Sequence, residues 1–336
     1  MSTPARQGWR RRSLIGLAGT ALGLVFLWLA LRQADAEALH EALRSLDLKL
    51  TLGAVVLYWL ALGLRVRRWQ RLLGHLGVVR WRTVAGILVP GYAMNNLLPA
   101  RLGELVRADL AKRRLGFSRS TVLGVIVVER MLDLLAILGL LAVGLTLNSL
   151  GNHERMSDFI RLLGQGTLIV LVLAAVLWRL RGVAALQIKL PPRIRRLLTD
   201  LGAGIGAVQS RNLLPLLVLT AGIWVGETSA LWCIFRAIAV DLSAPAAAIA
   251  MAAASLSTLV PTAPAYLGSY QLVFATVLPL FSESAAAGVA GASLIQLFLF
   301  GSVTLVGCLL LLVAAVRHPR PSTRELVNQD ARALGG

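Results

Sequence analysis

Acidic residues are scarce: 16 Asp and Glu stand against 34 Lys and Arg in 336 residues, an excess of +18. In a soluble domain that excess would suggest nucleic acid. Here the basic residues cluster at the ends of apolar segments, where anionic lipid headgroups and topology account for them, and no nucleic-acid partner is expected. Cysteine is almost absent; Cys233 and Cys308 both fall in apolar runs and read as small hydrophobes, so no disulfide framework is implied. His40, His75, His153 and His318 are scattered through loops and ends without ligand spacing, and no metal or cofactor is expected. Alternating strand patterns and long polar stretches are missing, which leaves no room for an adjacent soluble domain. No ATP-binding loop or Asp-x-Asp pair occurs. Gly202-Ala203-Gly204-Ile205-Gly206 superficially resembles a nucleotide-binding turn, but no strand precedes it, and it reads as small-residue helix packing.

What is abundant is apolar sequence. A hydrophobic share of 57% and a mean hydropathy of +0.73 define a polytopic membrane protein rather than a soluble core. The fold class expected is all-α, with about six spanning helices plus two re-entrant hairpins. Arg6, Arg10, Arg11 and Arg12 place residues 1–13 in the cytoplasm by the positive-inside rule. Residues 14–31 form an apolar run of about 18 residues, longer than the ~7–15 of a cleaved signal, so a retained first helix is expected. Helix two (50–66) returns to a basic edge that includes Arg65, Arg67, Arg68 and Arg71. Helices three (120–147), four (162–178), five (212–235) and six (285–316) follow, and residues 317–336 form a cytoplasmic tail. Both termini are thus expected on the cytoplasmic side of an inner membrane, around a membrane domain at 14–316 with halves at 14–147 and 162–316.

Two apolar stretches, 84–99 and 245–279, remain. Basic residues flank the first on both sides, which suggests a hairpin broken at Pro90-Gly91 and near Asn95-Asn96. The second is broken at Pro261 and Pro264. Irregular backbone at membrane depth is tolerated only where protein or a watery cavity surrounds it, so both hairpins should line something. Pro99-Ala100-Arg101-Leu102-Gly103-Glu104 matches Pro264-Ala265-Tyr266-Leu267-Gly268-Ser269 at four of six positions. With the halves in opposite orientation, this is the pattern of an inverted repeat.

Glu129 and Asp133 share a helix face in the apolar run from Thr121 to Leu147, and Arg130 reaches Asp133 from three residues away. Glu129 lies ~15 Å into that helix, near the bilayer midplane. A charge there costs on the order of 2.5–3.5 kcal/mol even on a lenient scale. Two readings stand: a self-neutralising triad that locks helices together, or a polar site on a route through the membrane. Glu227 is a second buried acid, able either to pair with Arg236 or to line an outer vestibule. Trp59, Trp69, Trp81, Trp224 and Trp232 read as interface belt and packing.

Leu64-Arg65-Val66-Arg67-Arg68-Trp69, the run from Asn95 through Arg101-Leu102-Gly103-Glu104 to Arg107, Val128-Glu129-Arg130-Met131-Leu132-Asp133, and the run from Pro261 to Gln271 together carry a resemblance. They resemble the membrane domain of the lysylphosphatidylglycerol synthase/flippase family across roughly 14–316. The resemblance implies a helical bundle with re-entrant segments that moves a lipid headgroup between leaflets. The soluble aminoacyl transferase fused to the best-known members is not seen here, so synthesis of an aminoacyl lipid is not inherited. In the family's pattern the second-half motif often reads Pro-Gly-Gly-x-Gly-x-x-Glu. Ala265 and Tyr266 replace the two glycines and Gln271 replaces the acid, so a neutral, hydrogen-bonding wall stands in that place.

The substrate-binding set expected is Arg101, Glu104, Arg107, Glu129, Arg130, Asp133, Tyr266 and Gln271. A guanidinium matches phosphate oxygens in a planar fork, though Arg101 and Arg107 also fit plain cytoplasmic anchoring of a basic loop. Glu104 most simply neutralises one of them. Asn95, Asn96, Pro99, Gly103, Pro261, Pro264 and Gly268 are assigned to the structure of the hairpins. The function expected is flipping of an anionic or phosphate-bearing lipid. The rival readings are an integral-membrane enzyme acting on a lipid phosphate or lipid-linked sugar, and a scaffold for a lipid-modifying enzyme.

Overall fold

The computed structural model describes residues 45–98, 101–147, 191–208, 210–258 and 263–317, with isolated positions 25, 28, 37, 40 and 44 ahead of them. No strand occurs among the described residues, and the chain is an all-α membrane protein. Most of the first and all of the fourth expected helices, Pro99, Pro261 and nearly all of the C-terminal tail lie outside the described residues.

Helix α1 (Leu48–Leu73) opens on Asp47, whose carboxylate accepts from the backbone N–H groups of Lys49 and Leu50, the ordinary N-cap arrangement. It outlasts the expected 50–66 by about two turns at its C-terminal end. Arg65 and Arg68 therefore belong to the helix interior and turn inward, a correction to their place on a basic edge. Next come α2 (Trp81–Leu97), α3 (Gly103–Leu115) and α4 (Arg119–Leu147), the last ~43 Å long at 1.5 Å per residue. Then follow α5 (Pro192–Ile205), α6 (Ser210–Ala237) and α7 (Ala244–Ser257). A 3-10 turn at Pro264–Tyr266 leads to α8 (Ser269–Val277). Finally α9 (Ala285–Leu294) continues through a π-helical turn (Ile295–Phe300) into α10 (Gly301–Arg317). Four helical stretches among the described residues, Leu48–Leu73, Asn212–Ala237, Pro264–Phe281 and Ala285–Ala314, are long and apolar enough to cross a membrane.

The expected break at Pro90-Gly91 does not occur, because α2 runs unbroken to Leu97. A proline at position 90 removes the N–H that would bond the carbonyl four residues back. That carbonyl belongs to Gly86, and Arg114 Nη1 donates to it at 3.0 Å, supplying the missing donor from α3. The chain turns instead after Leu97, so α2 and α3 form a helical hairpin; α7 and α8 form a second around the Pro264 turn.

Lipid tails are as apolar as leucine, so small residues and close packing join the helices. Helix α1 packs most extensively on α6, and α4 packs on both α5 and α7. At the α4–α5 crossing Gly204 meets Gly124, and a Cβ on Gly204 would lie 2.0 Å from Thr121 O. The outward faces stay apolar, with Leu60, Leu214 and Leu305 all more than 60% exposed. Two cores result. One gathers Phe235, Phe274 and their neighbours on α6–α9; the other gathers Trp69, Leu72 and Leu88 on α1, α2 and α4. Tyr58 touches both, and it lines a cavity walled by residues of both.

Candidate functional site

The site begins with the problem posed by α4: Glu129 and Asp133 are 1% and 3% exposed. Carboxylates so buried are tolerated only if paired. Four arginines from three helices answer them. Arg107 on α3, fully buried, donates from Nη2 and Nη1 to Glu129 Oε2 and Oε1 at 2.5 and 3.4 Å. Arg68 Nη2 donates to Asp133 Oδ1 at 2.7 Å and its Nη1 to the Thr220 hydroxyl at 3.0 Å. Arg130 Nη2 reaches Glu129 at 3.0 Å, while its other nitrogens lie 3.4 Å from Glu104 and 3.5 Å from Asp133. Arg65 donates bidentately to Glu227 on α6, at 2.6 and 2.9 Å, and lies 3.5 Å from Asp133. Aromatic groups complete the cluster. Trp224 Nε1 donates to Asp133 at 3.3 Å, Tyr92 donates to Glu129 at 3.3 Å, and the Arg107 guanidinium sits 4.4 Å above the Trp69 ring.

Beside this cluster is a cavity of about 420 Å³ reached by residues from α1, α2, α4, α6, α7, α8 and both hairpin tips. Much of its wall is apolar, including Val127, Met131 and Leu134 of α4. Of the expected substrate-binding residues, Arg101, Glu104, Arg130, Asp133 and Tyr266 line it, as do Asn95 and Asn96. Arg107 and Glu129 stand behind the wall as a closed pair. Gln271 is buried between Gly268 and Gln296: its Oε1 accepts from the Gly268 N–H at 2.8 Å and its Nε2 donates to Gln296 Oε1 at 2.6 Å. Gln296 in turn donates to Ala265 O at 3.0 Å, fastening the second tip to the π-helical turn.

The first tip is closed by close approach. A Cβ on Gly103 would lie 2.2 Å from Gly91 O and 2.5 Å from Asn95 Oδ1, so no side chain fits there. Asn96 Nδ2 donates to Phe300 O and Thr304 Oγ1 at 3.2 and 2.9 Å, joining α2 to the π-helical turn rather than serving its own hairpin. Arg101 (φ 54°), Ala265 (φ 53°) and Tyr266 (φ 59°) hold left-handed backbone. Such strain persists only where the surroundings enforce it, often at ligand clamps and switches. The tips meet directly: Arg101 Nη2 donates to Thr258 Oγ1, and its guanidinium lies 5.9 Å from the Tyr266 ring centroid.

Five guanidiniums (Arg65, Arg68, Arg101, Arg107, Arg130) thus face four carboxylates (Glu104, Glu129, Asp133, Glu227), an excess of one positive charge. The excess falls on Arg101, which has no carboxylate partner among the described residues and whose buried Nε makes no hydrogen bond there.

Arg65, Arg68, Tyr58 and Tyr92 complete the site beyond the residues that sequence reasoning selected, and Glu227, read in the sequence as a second buried acid, lines the cavity. Arg65 and Arg68 share one stripe with buried Ala61 and Leu72, while Arg67 points outward; that periodicity was the available signal. Glu227 pairs with Arg65 rather than Arg236, which bonds Asp241 at 2.8 Å. Trp69 and Trp224 serve as packing, buried in the two cores, and both also touch the charged cluster.

Helices long enough to span a bilayer, wrapped around an ionised cluster and a cavity, define a polytopic helical membrane protein with an internal polar site. The chain belongs to the lysylphosphatidylglycerol synthase TM region family, whose profile matches residues 16–307, and is therefore a lipid-related membrane protein. The UPF0104 membrane protein MJ1078 of Methanocaldococcus jannaschii is 24% identical over 217 residues, covering 65% of this chain and 92% of that protein. The glycosyltransferase AglD of Haloferax volcanii is 30% identical over 154 residues, 45% of this chain but 24% of that protein.

Proposed function

We propose that this protein moves a phosphate-bearing lipid, or a lipid-linked headgroup, between leaflets, with the headgroup in the cavity and the chains in the bilayer. The observation that carries this reading is Arg101, a guanidinium at the cavity with one hydroxyl partner and no carboxylate among the described residues. Arg130, with a third of its side chain exposed, stands on the same cavity and offers a second fork. A phosphodiester would neutralise the single excess charge and match the planar donors. The apolar wall from α4 supports a guest with one foot in lipid. In this reading both hairpins are re-entrant, the halves are oppositely oriented, and both termini face the cytoplasm of an inner membrane. A gradient or consumption of the product supplies the driving force.

Proteoliposomes holding a reporter-labelled phosphatidylglycerol test this, by the rate at which label in the inner leaflet becomes reachable from outside. Arg101→Gln should slow movement at least about tenfold, the equivalent of one ~1.4 kcal/mol charge-assisted contact, while the protein elutes as a folded species. A folded Arg101→Gln protein working at the normal rate sinks the assignment.

A second reading, an enzyme acting on a lipid phosphate or lipid-linked sugar, is favoured by one observation: the glycosyltransferase name of the Haloferax relative. Against it, every carboxylate at the cavity already faces a guanidinium and is poorly placed to exchange protons. Product formation by purified protein in detergent, where no leaflets exist, would favour the enzyme.

A further inference from the structure

The chain has four tyrosines in all, Tyr58, Tyr92, Tyr266 and Tyr270, and all four line this one cavity. Tyr266 and Tyr270 are stacked with centroids 6.0 Å apart, and Phe300 lies edge-on to Tyr270 at 5.5 Å. Tyr92 spends its hydroxyl on Glu129. Tyr58, Tyr266 and Tyr270 line the cavity, and their hydroxyls make no hydrogen bond to another described residue.

An aromatic box invites a cation, but this one is already served. The Arg65 guanidinium lies 5.6 Å from the Trp224 centroid and 5.8 Å from that of Tyr92, and Arg101 lies over Tyr266. The acids also face guanidiniums: Glu227 is held bidentately by Arg65, Asp133 accepts one hydrogen bond from Arg68 at Oδ1, and Glu104 lies 3.4 Å from Arg130. An ammonium would meet carboxylates that already face guanidiniums, aromatic faces of Trp224, Tyr92 and Tyr266 already taken, and a local excess of positive charge. What remains is aromatic surface carrying phenol hydroxyls. That is the chemistry of an uncharged, hydroxyl-rich ring, whose C–H faces lie on aromatic rings while its hydroxyls exchange hydrogen bonds with phenols.

We infer that the cavity has two subsites: Arg101 and Arg130 for the phosphate, and the tyrosine wall for an uncharged polyol ring, a sugar or a cyclitol, attached to it. This rests on the transport reading and deepens it. The headgroup it selects is hydroxylated and neutral beyond the phosphate, not aminated.

The test is binding in detergent by short-chain lipids. Phosphatidylinositol and a hexosyl phosphoryl citronellol carry a ring beyond a monoanionic phosphodiester; phosphatidylmethanol carries none; phosphatidylethanolamine carries an amine. Both ring ligands should bind at least about fivefold more tightly than phosphatidylmethanol, the worth of one or two hydrogen bonds. The tighter of the two identifies cyclitol or sugar. Tyr266→Phe and Tyr270→Phe, which keep the rings, should shrink that ratio toward one. Equal affinity for ring ligands and phosphatidylmethanol overturns the polyol subsite. If that common affinity is lost in Arg101→Gln, the transport reading survives it. Preference for phosphatidylethanolamine likewise overturns the subsite, and binding of none of the four overturns both.

Discussion

The two helical hairpins solve one problem in two chemistries. Each brings a turn with left-handed residues to the cavity, and each fastens the helix after its turn to a later helix by one buried polar pair. In the first, Arg107, eight residues after Pro99, is held by Glu129 on α4 at 2.5 Å. In the second, Gln271, seven residues after Pro264, is held by Gln296 in the π-helical turn at 2.6 Å. The first fastening is ionic and the second is an amide pair, although the sequences of the tips match at four of six positions. The acid expected from the family's pattern at position 271 has no guanidinium to meet there, since Gln296 and the Gly268 N–H are its partners. The amide fastening leaves the second hairpin to present the stacked Tyr266 and Tyr270 to the cavity, beside Arg101 of the first.

Breaking the ionic fastening should have the largest effect. Glu129→Leu leaves Arg107 buried without its carboxylate, and removal of one partner from such a pair costs about 3–5 kcal/mol. The double variant Arg107→Met/Glu129→Leu should recover part of that loss, because the fully buried Arg107 is no longer stranded, while Arg130 keeps Asp133 and Glu104 as partners. Thermal unfolding in detergent, followed by size exclusion, measures both. Gln271→Leu should cost less, about 1–3 kcal/mol, since the groups left unsatisfied are a backbone N–H and a neutral amide. If the two single variants lose the same stability, the contrast between the hairpins has no energetic content.

A third prediction concerns the unbroken helix. Arg114→Ala removes the donor that stands in for the missing N–H of Pro90 on the Gly86 carbonyl; the bond is exposed, so the cost should be about 0.5–1 kcal/mol. Pro90→Ala should be nearly harmless in the wild type and should rescue Arg114→Ala, because alanine restores the i→i−4 bond. A double-mutant cycle with no coupling would show that the guanidinium does not serve that carbonyl.

Pro90 marks where sequence reasoning ran out. A proline followed by glycine signals a break, and nothing local says that a side chain 24 residues on will mend the ladder. Arg65 and Arg68 were hidden for a related reason: cations after an apolar run usually anchor a helix at the membrane surface. Only the continuation of α1 to Leu73 turns them inward. The Arg65–Glu227 pair joins residues 162 apart and has no local signature. By contrast, Glu129 and Asp133 were legible, because carboxylates deep in an apolar run must be buried with partners. The ends of α4 and α6 were legible to within about two residues for the same hydropathic reason.

The smallest expected effect comes from a pair of the same chemistry outside the membrane-spanning segments. Asp109 on α3 is bracketed by Arg119, across the Gly116 turn, and by Arg113 Nε at 2.7 Å; both arginine side chains are about 60% exposed. The hydrogen bond from Arg119 holds the Asp109 carboxyl below its ordinary value, with Arg113 adding to the effect. Because the folded pKa is the lower one, the pair stabilises the protein above the ordinary carboxylate pKa of ~3.9 and that contribution is lost as pH falls through the folded value. Asp109→Asn should therefore cost under about 1 kcal/mol at neutral pH, the range of exposed ion pairs. The loss should shrink in about 1 M salt, where the Debye length is ~3 Å, whereas the cost of Glu129→Leu should hardly change. Equal salt sensitivity of the two variants would mean that solvent reaches Glu129, and the ionic fastening would then be no stronger than its counterpart at the surface.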